Sequence, residues 1–186
     1  VNTDMVKAGE ITSLTDVLDP RWKGNLVMND PTVTGAGNEW FTYVVRILLG
    51  RDKGLDFMKG LIGQELAITR DNRLQIEWVA RGKYAVALAP NKANTVDFIR
   101  AGAPVTFPQL QDTRNTTASA ANIMVFDRGP HPNATKLFVN WLLSQEGVTI
   151  FSRAHGSPST RLDVSTEGIE PILIPGPNDG ILDEEY

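Results

Sequence analysis

Residues 66–107 read LAITRDNRLQIEWVARGKYAVALAPNKANTVDFIRAGAPVTF, and the alternation inside this stretch decides the fold. Leu66-Ala67-Ile68-Thr69 has the size and bounding of a short buried strand. Asn72 to Arg81 has helical apolar spacing and stops at Gly82. Tyr84 to Ala89 is then an uninterrupted apolar run between Lys83 and Pro90, the pattern of a strand covered on both faces. Thr95 to Ala101 predicts another helix, stopped by Gly102, and Val105-Thr106-Phe107 a further strand. Strands that alternate with helices in this way predict an α/β architecture, a largely parallel sheet with helices on both faces.

Toward the N-terminus the same grammar continues. Leu14 to Leu18 is a short turn of helix ended by Asp19-Pro20, and Trp22-Lys23-Gly24 leads into a strand at Leu26-Val27-Met28. The turn formers of Asp30 to Gly37 precede a helix carrying Trp40, Phe41, Val44, Val45 and Leu48, stopped by Gly50. A second helix runs from Asp52 to Ile62 and is closed by Gly63. Toward the C-terminus the pattern changes after Pro108. Polar Gln111 to Ser119 reads as a surface loop or a crossing segment between bodies, and Asn122 to Phe126 as a strand. A helix from Asn133 to Ser144 sets Ala134, Leu137, Phe138, Trp141 and Leu142 on one face, and Gly147 punctuates the way to one more helix. From Ser157 onward turn formers dominate, as in an extended surface wrap, down to the acidic Asp183-Glu184-Glu185.

Composition bounds the function. With 186 residues, 41% of them hydrophobic and 22% charged, the chain can bury a core and lies outside the disordered range. A net charge of -4 gives no general attraction to phosphate backbones or anionic lipid, so nucleic acid is not an expected partner. The absence of cysteine removes disulfides, thiolate catalysis and thiolate metal sites together. No apolar run approaches the ~20 residues needed to cross a bilayer. Val1-Asn2-Thr3-Asp4 lacks the basic start, apolar stretch and cleavage site of a signal peptide, and reads as a cut inside a longer protein.

Four ordered blocks carry a resemblance. Val1-Asn2-Thr3-Asp4-Met5-Val6 resembles the hinge strand YNT-x-x-V of the iron-type family of ABC transporter solute-binding proteins, without its tyrosine. Leu14-Thr15-Asp16-Val17-Leu18-Asp19-Pro20-Arg21-Trp22-Lys23-Gly24, followed by Met28-Asn29-Asp30-Pro31, is similar to that family's DLLDPKWKGKI…DP segment. Arg70-Asp71-Asn72-Arg73 with Glu77 to Gly82 is the third block. Pro130 to Ala134 with Lys136-Leu137-Phe138 and Trp141 to Gly147 is the fourth. The resemblance implies a two-lobed type II clamshell, periplasmic or extracellular, that captures a small solute and presents it to a membrane permease without catalysis or a cofactor. It implies that residues 1–110 hold the second ligand-binding lobe with its hinge entry strand. Residues 111–186 would cross back to complete the first lobe, whose opening portion is absent. That incomplete lobe would leave a region open to self-association.

Thr34-Gly35-Ala36 lies immediately before a helix, where backbone N–H groups and the positive end of the helix dipole can face an anion. The plainer reading is a helix N-cap by Thr34 with glycines making the turn. Family members hold an anion at the matching Ser/Thr-Gly turn, so the resemblance implies that Thr34, Gly35 and Ala36 touch the ligand. Arg70, Asn72 and Arg73 cluster where a strand meets a helix, in the crevice position where open α/β sheets bind ligands. Their guanidiniums would suit a carboxylate or phosphate. The competing reading has Asp71 or Asn72 as N-cap and both arginines solvated. Asn91 and Lys92 follow the next strand in the same kind of position. In the ferric members two adjacent tyrosines ligate iron at this place, but Lys92 and Ala93 stand here, and a cation repels a metal. A ferric protein with a synergistic anion at Thr34-Gly35, and an enzyme or sensor on the same scaffold, remain the alternative readings. His131 and His155 have no partner at ligand spacing and read as surface or capping residues. Ser157 or Ser159, His155 and Asp163 could form a triad on paper, but there is no G-x-S-x-G elbow.

Overall fold

The computed structural model describes residues 1–112, 123–159, 161–169 and 174. The chain divides into two compact units, Val1–Thr113 and Arg114–Tyr186.

In the first unit, β1 (Leu26–Asn29), β2 (Ala67–Thr69) and β3 (Val86–Leu88) form a parallel sheet in the order β2-β1-β3. Val27 is the Cα partner of both Ala67 and Ala87, so β1 is the central strand. Parallel neighbours need a crossover, and helices supply both. α1 (Ala36–Tyr43), a π turn (Val44–Leu48) and α2 (Arg51–Gly63) join β1 to β2, and α3 (Asn72–Ala80) joins β2 to β3. α4 (Lys92–Arg100) follows β3.

The unbroken apolar run of β1 is explained by what covers each face. Side chains alternate along a strand. Leu26 and Met28 enter one core with Trp22, Val44, Phe57 and Leu61, and Val27 enters a second core with Val79 and Val105, bordered by Trp78, Phe98 and Ile99. β1 is therefore buried throughout, whereas edge strand β2 leaves Ile68 56% exposed. β1 and β3 are thus covered on both faces, as their apolar runs predict, whereas β2, expected as a buried strand, lies at the edge and is only partly covered.

Local chemistry sets the helix ends. Asp71 caps α3 by accepting from the amides of Arg73 and Leu74, and Asn91 caps α4 by accepting from the amide of Asn94. α4 consequently begins three residues before the expected Thr95, since Asn91 supplies the start signal there. The expected strand at Val105–Phe107 is shorter. Val105 makes a single antiparallel bridge to Asn2, with Val1 and Thr106 exchanging backbone hydrogen bonds beside it. The chain then folds back on the unit: the Gln111 amide donates to Thr12 O, and the Asp112 carboxylate accepts from the Ser13 hydroxyl and the Leu14 amide.

The second unit contains α5 (Pro132–Leu142) and α6 (Gln145–His155). Ser144 caps α6, and Arg161 ties the following loop to the turn by donating to Leu143 O while pairing with Asp163. Gly147 does not delay the last helix as its punctuation suggests. It lies inside α6, where a Cβ would collide with Trp141 O, so only glycine permits the tight α5–α6 turn. α5 has no buried side chain: Leu137, Phe138 and Trp141 are 74%, 57% and 41% exposed. Residues 123–126, expected as a strand, form none, and Ile123, Met124, Val125 and Phe126 are all exposed; Asn122 lies outside the described residues. So do 113–119 of the expected surface loop. The segment after Ser157 is more than a surface wrap, since Val164 and Ile169 are buried.

Candidate functional site

β1 ends at Asn29, β2 at Thr69 and β3 at Leu88, and because the strands are parallel their following loops leave from one edge of the sheet. Those loops run into the N-termini of α1, α3 and α4, and all eight candidate ligand residues lie on them or on the first helical residues. In open α/β sheets this carboxyl edge is the crevice that takes ligands.

The three helix starts differ in one respect. α3 and α4 are capped by their own Asp71 and Asn91 side chains, but the N-cap of α1 is Gly35, which has no side chain to offer. Thr34 is exposed and does not cap, so the plainer reading of that residue is not realised. Gly35 adopts φ +137°, a conformation that favours glycine, and Gly37 packs where a Cβ would come within 2.5 Å of Asn29 O and 2.7 Å of Asp30 O. Both glycines are therefore required by the turn itself. Among the described residues, the first turn of α1 receives no side-chain cap, at the positive end of the helix.

The cations are less free than their sequence positions suggest. Arg70 Nε donates to Asp30 Oδ2 at 2.8 Å, so this guanidinium is matched to a carboxylate of the neighbouring loop. Asp30 is held down to about 2 by the Thr32 hydroxyl, then by Arg70 and the Thr32 amide. The Arg73 guanidinium lies 5.3 Å from the centre of the Phe98 ring, on the α3–α4 side. Asn72 and Lys92 are the first residues of α3 and α4, and Asn91 spends its side-chain oxygen on the cap. The structure thus brings Thr34, Gly35 and Ala36 to the same sheet edge as Arg70, Arg73, Asn91 and Lys92. It joins Arg70 to the first loop through Asp30.

Two residues that the sequence reading passed over sit beneath these loops. Asn29 is 4% exposed and Gln75 is fully buried. Gln75 Nε2 donates to Leu88 O and Val27 O, and Asn29 Nδ2 donates to Gln75 Oε1 and Ala89 O. The available signal was a glutamine on the buried face of α3, next to Ile76 and one turn before Val79. Buried amides at such positions are normally bonded.

Elsewhere, His155 Nδ1 lies 2.9 Å from the Ser157 hydroxyl and its ring stacks on Phe151, while both Asp163 oxygens bond Arg161. The paper triad therefore lacks the carboxylate that would orient its histidine. His131 stands at the N-cap of α5 without a side-chain bond there. Among the described residues no group of three or more His, Cys, Asp or Glu could hold a metal ion, and no helix is long and apolar enough to cross a membrane.

A family model described as bacterial extracellular solute-binding protein matches residues 1–156. No curated protein and no solved structure matches the chain.

Proposed function

The chain belongs to the bacterial extracellular solute-binding protein family, and on that premise we propose that residues 1–110 are a ligand-capturing lobe of an ABC uptake system that takes a small anionic solute at the carboxyl edge of its sheet. The observation that carries this reading is the start of α1. Its amides have no side-chain cap, whereas those of α3 and α4 do. Amides at a helix start favour negative charge. Arg70, Arg73 and Lys92 around the same edge add cations to a chain whose net charge is negative. The acidic Asp30 and Asp71 offset part of that charge without reversing its sign.

In this reading Thr34, Gly35 and Ala36 hold the anion, Arg73 and Lys92 add long-range attraction, and Arg70 with Asn72 and Asn91 shapes the rim. The work is capture and presentation to a permease, not bond chemistry. Residues 111–186 contribute to the first lobe of the clamshell, as the resemblance implies. The exposed Leu137, Phe138 and Trp141 of α5 and the four exposed apolar residues 123–126 support that assignment, because such surfaces are covered in a finished α/β body.

Ala36→Pro tests the reading sharply. Ala36 is the first residue of α1, a position where proline is tolerated by the helix while its N–H is deleted. Calorimetric titration of the full chain with phosphate, sulfate and a dicarboxylate should find at least one ligand, weakened about tenfold or more by Ala36→Pro. Unchanged affinity in Ala36→Pro, or binding of neutral solutes alone, would refute it.

A further inference from the structure

Asn29 and Asp30 close β1 and touch each of the three loops that leave the sheet edge. The Asn29 carbonyl is packed against Gly37 in the first turn of α1, and the Asp30 amide donates to Thr69 O at the end of β2. The Asn29 side chain reaches the other way, donating to Ala89 O at 3.1 Å and to Gln75 Oε1 at 2.5 Å. Gln75 in turn donates to Leu88 O at 2.7 Å and Val27 O at 3.3 Å, one carbonyl from each of the paired strands. Backbone register between β1 and β3 runs only to Met28 and Leu88. Beyond it, Ala89 turns to φ +52°, a left-handed conformation that strains a residue with a side chain. The strands are therefore joined past the end of their ladder by two side-chain amides, not by backbone.

We propose that Asn29 and Gln75 are positioning residues of the solute site: a two-amide staple that makes the loop before α1 and the loop before α4 one mechanical unit. Neither side chain reaches the surface, so neither touches solute. Their effect is to hold Gly35-Ala36 and Asn91-Lys92 at a fixed separation, which a rigid anion needs if both loops are to engage it at once. A buried apolar pair of the same volume would fill the space but leave the Ala89 and Leu88 carbonyls unmatched at the mouth of the crevice. This inference rests on the reading that these loops hold the solute, but it predicts a property of the ligand-free protein.

Hydrogen exchange on the full chain without added solute tests it. In Gln75→Met, which keeps the length and deletes every bond, the amides of Thr32 and Glu39, before and within the start of α1, and of Asn94 and Thr95 in the first turn of α4 should all exchange about tenfold faster. The Gln64 and Thr106 amides should stay within about twofold of wild type. Asn29→Ala should loosen the same two loops, and the double variant should add little to either single change, because all three break one connection. Uniform acceleration across residues 1–112 would reduce the pair to core packing and overturn the proposal. So would acceleration confined to one loop, or full additivity in the double variant. Phosphate titrated into the wild type reports separately on the anion reading, and its failure to bind would count against that reading alone.

Discussion

Asp30 shows how one residue can serve both stability and the site. Thr32 and Arg70 depress its carboxyl to about 2, below the unfolded value of about 3.9. A folded-state value that is lowered stabilises the protein above the unfolded pKa, and the contribution is lost as pH falls through the folded one. Urea midpoints of wild type and Asp30→Asn should therefore differ by a constant amount above about pH 5 and converge between about pH 4 and pH 2. A difference that persists unchanged at about pH 2 would mean that the Asp30–Arg70 link contributes nothing. At the same scale, Arg73→Ala should weaken anion binding about tenfold, whereas Lys59→Ala should not. Lys59 is paired with Asp56 on the exposed face of α2, outside the three loops that leave the sheet edge. Calorimetry on the two variants makes the comparison, and equal losses would remove Arg73 from the site.

Among the elements, α2 carries an internal comparison. Gly54 packs so closely on the π turn that an added Cβ would lie 2.6 Å from Val45 Cα, while Gly63 has open space and an ordinary helical backbone. Replacing glycine by alanine in a helix gains about 1 kcal/mol, but forcing volume into a packed contact costs about 1–3 kcal/mol. Gly63→Ala should therefore raise the urea midpoint and Gly54→Ala should lower it. A stabilised Gly54→Ala would show that the π turn can yield. This contact also marks where sequence reading stops. The apolar spacing of Trp40 to Leu48 announces a helix, yet the same spacing suits an α turn and the π turn in which the Leu49 amide reaches Val44 O. β1 and β3 were legible because burial on both faces demands an unbroken apolar run. The start of α4 was not, because Asn91 acts through a cap that periodicity does not record. The Gln75 staple was hidden for a related reason: its partners are backbone carbonyls distant in the chain.

For the whole molecule, the order of strands and helices in residues 1–112 followed from apolar patterning. Of the resemblance carried by four sequence blocks, the family model bears out membership of the bacterial extracellular solute-binding proteins, over residues 1–156. The identity of the solute was not legible, because helix-start amides and guanidiniums recognise charge before they recognise shape. The arginines also took partners, Asp30 and Phe98, that residue spacing alone does not predict. What the fold contributes is convergence: three loops distant in sequence leave one sheet edge, and the one uncapped helix start among them faces that edge with its amides available. The most direct test of that claim is a nitrogen–proton correlation spectrum of the full chain, titrated in parallel with phosphate, sulfate, a dicarboxylate and a neutral sugar. The account predicts that an anion, and not the sugar, moves the amides of Gly35, Ala36 and Gly37 most, with smaller shifts at Arg73 and Lys92. Largest shifts on α5 or α6, or a response to the sugar alone, would contradict it.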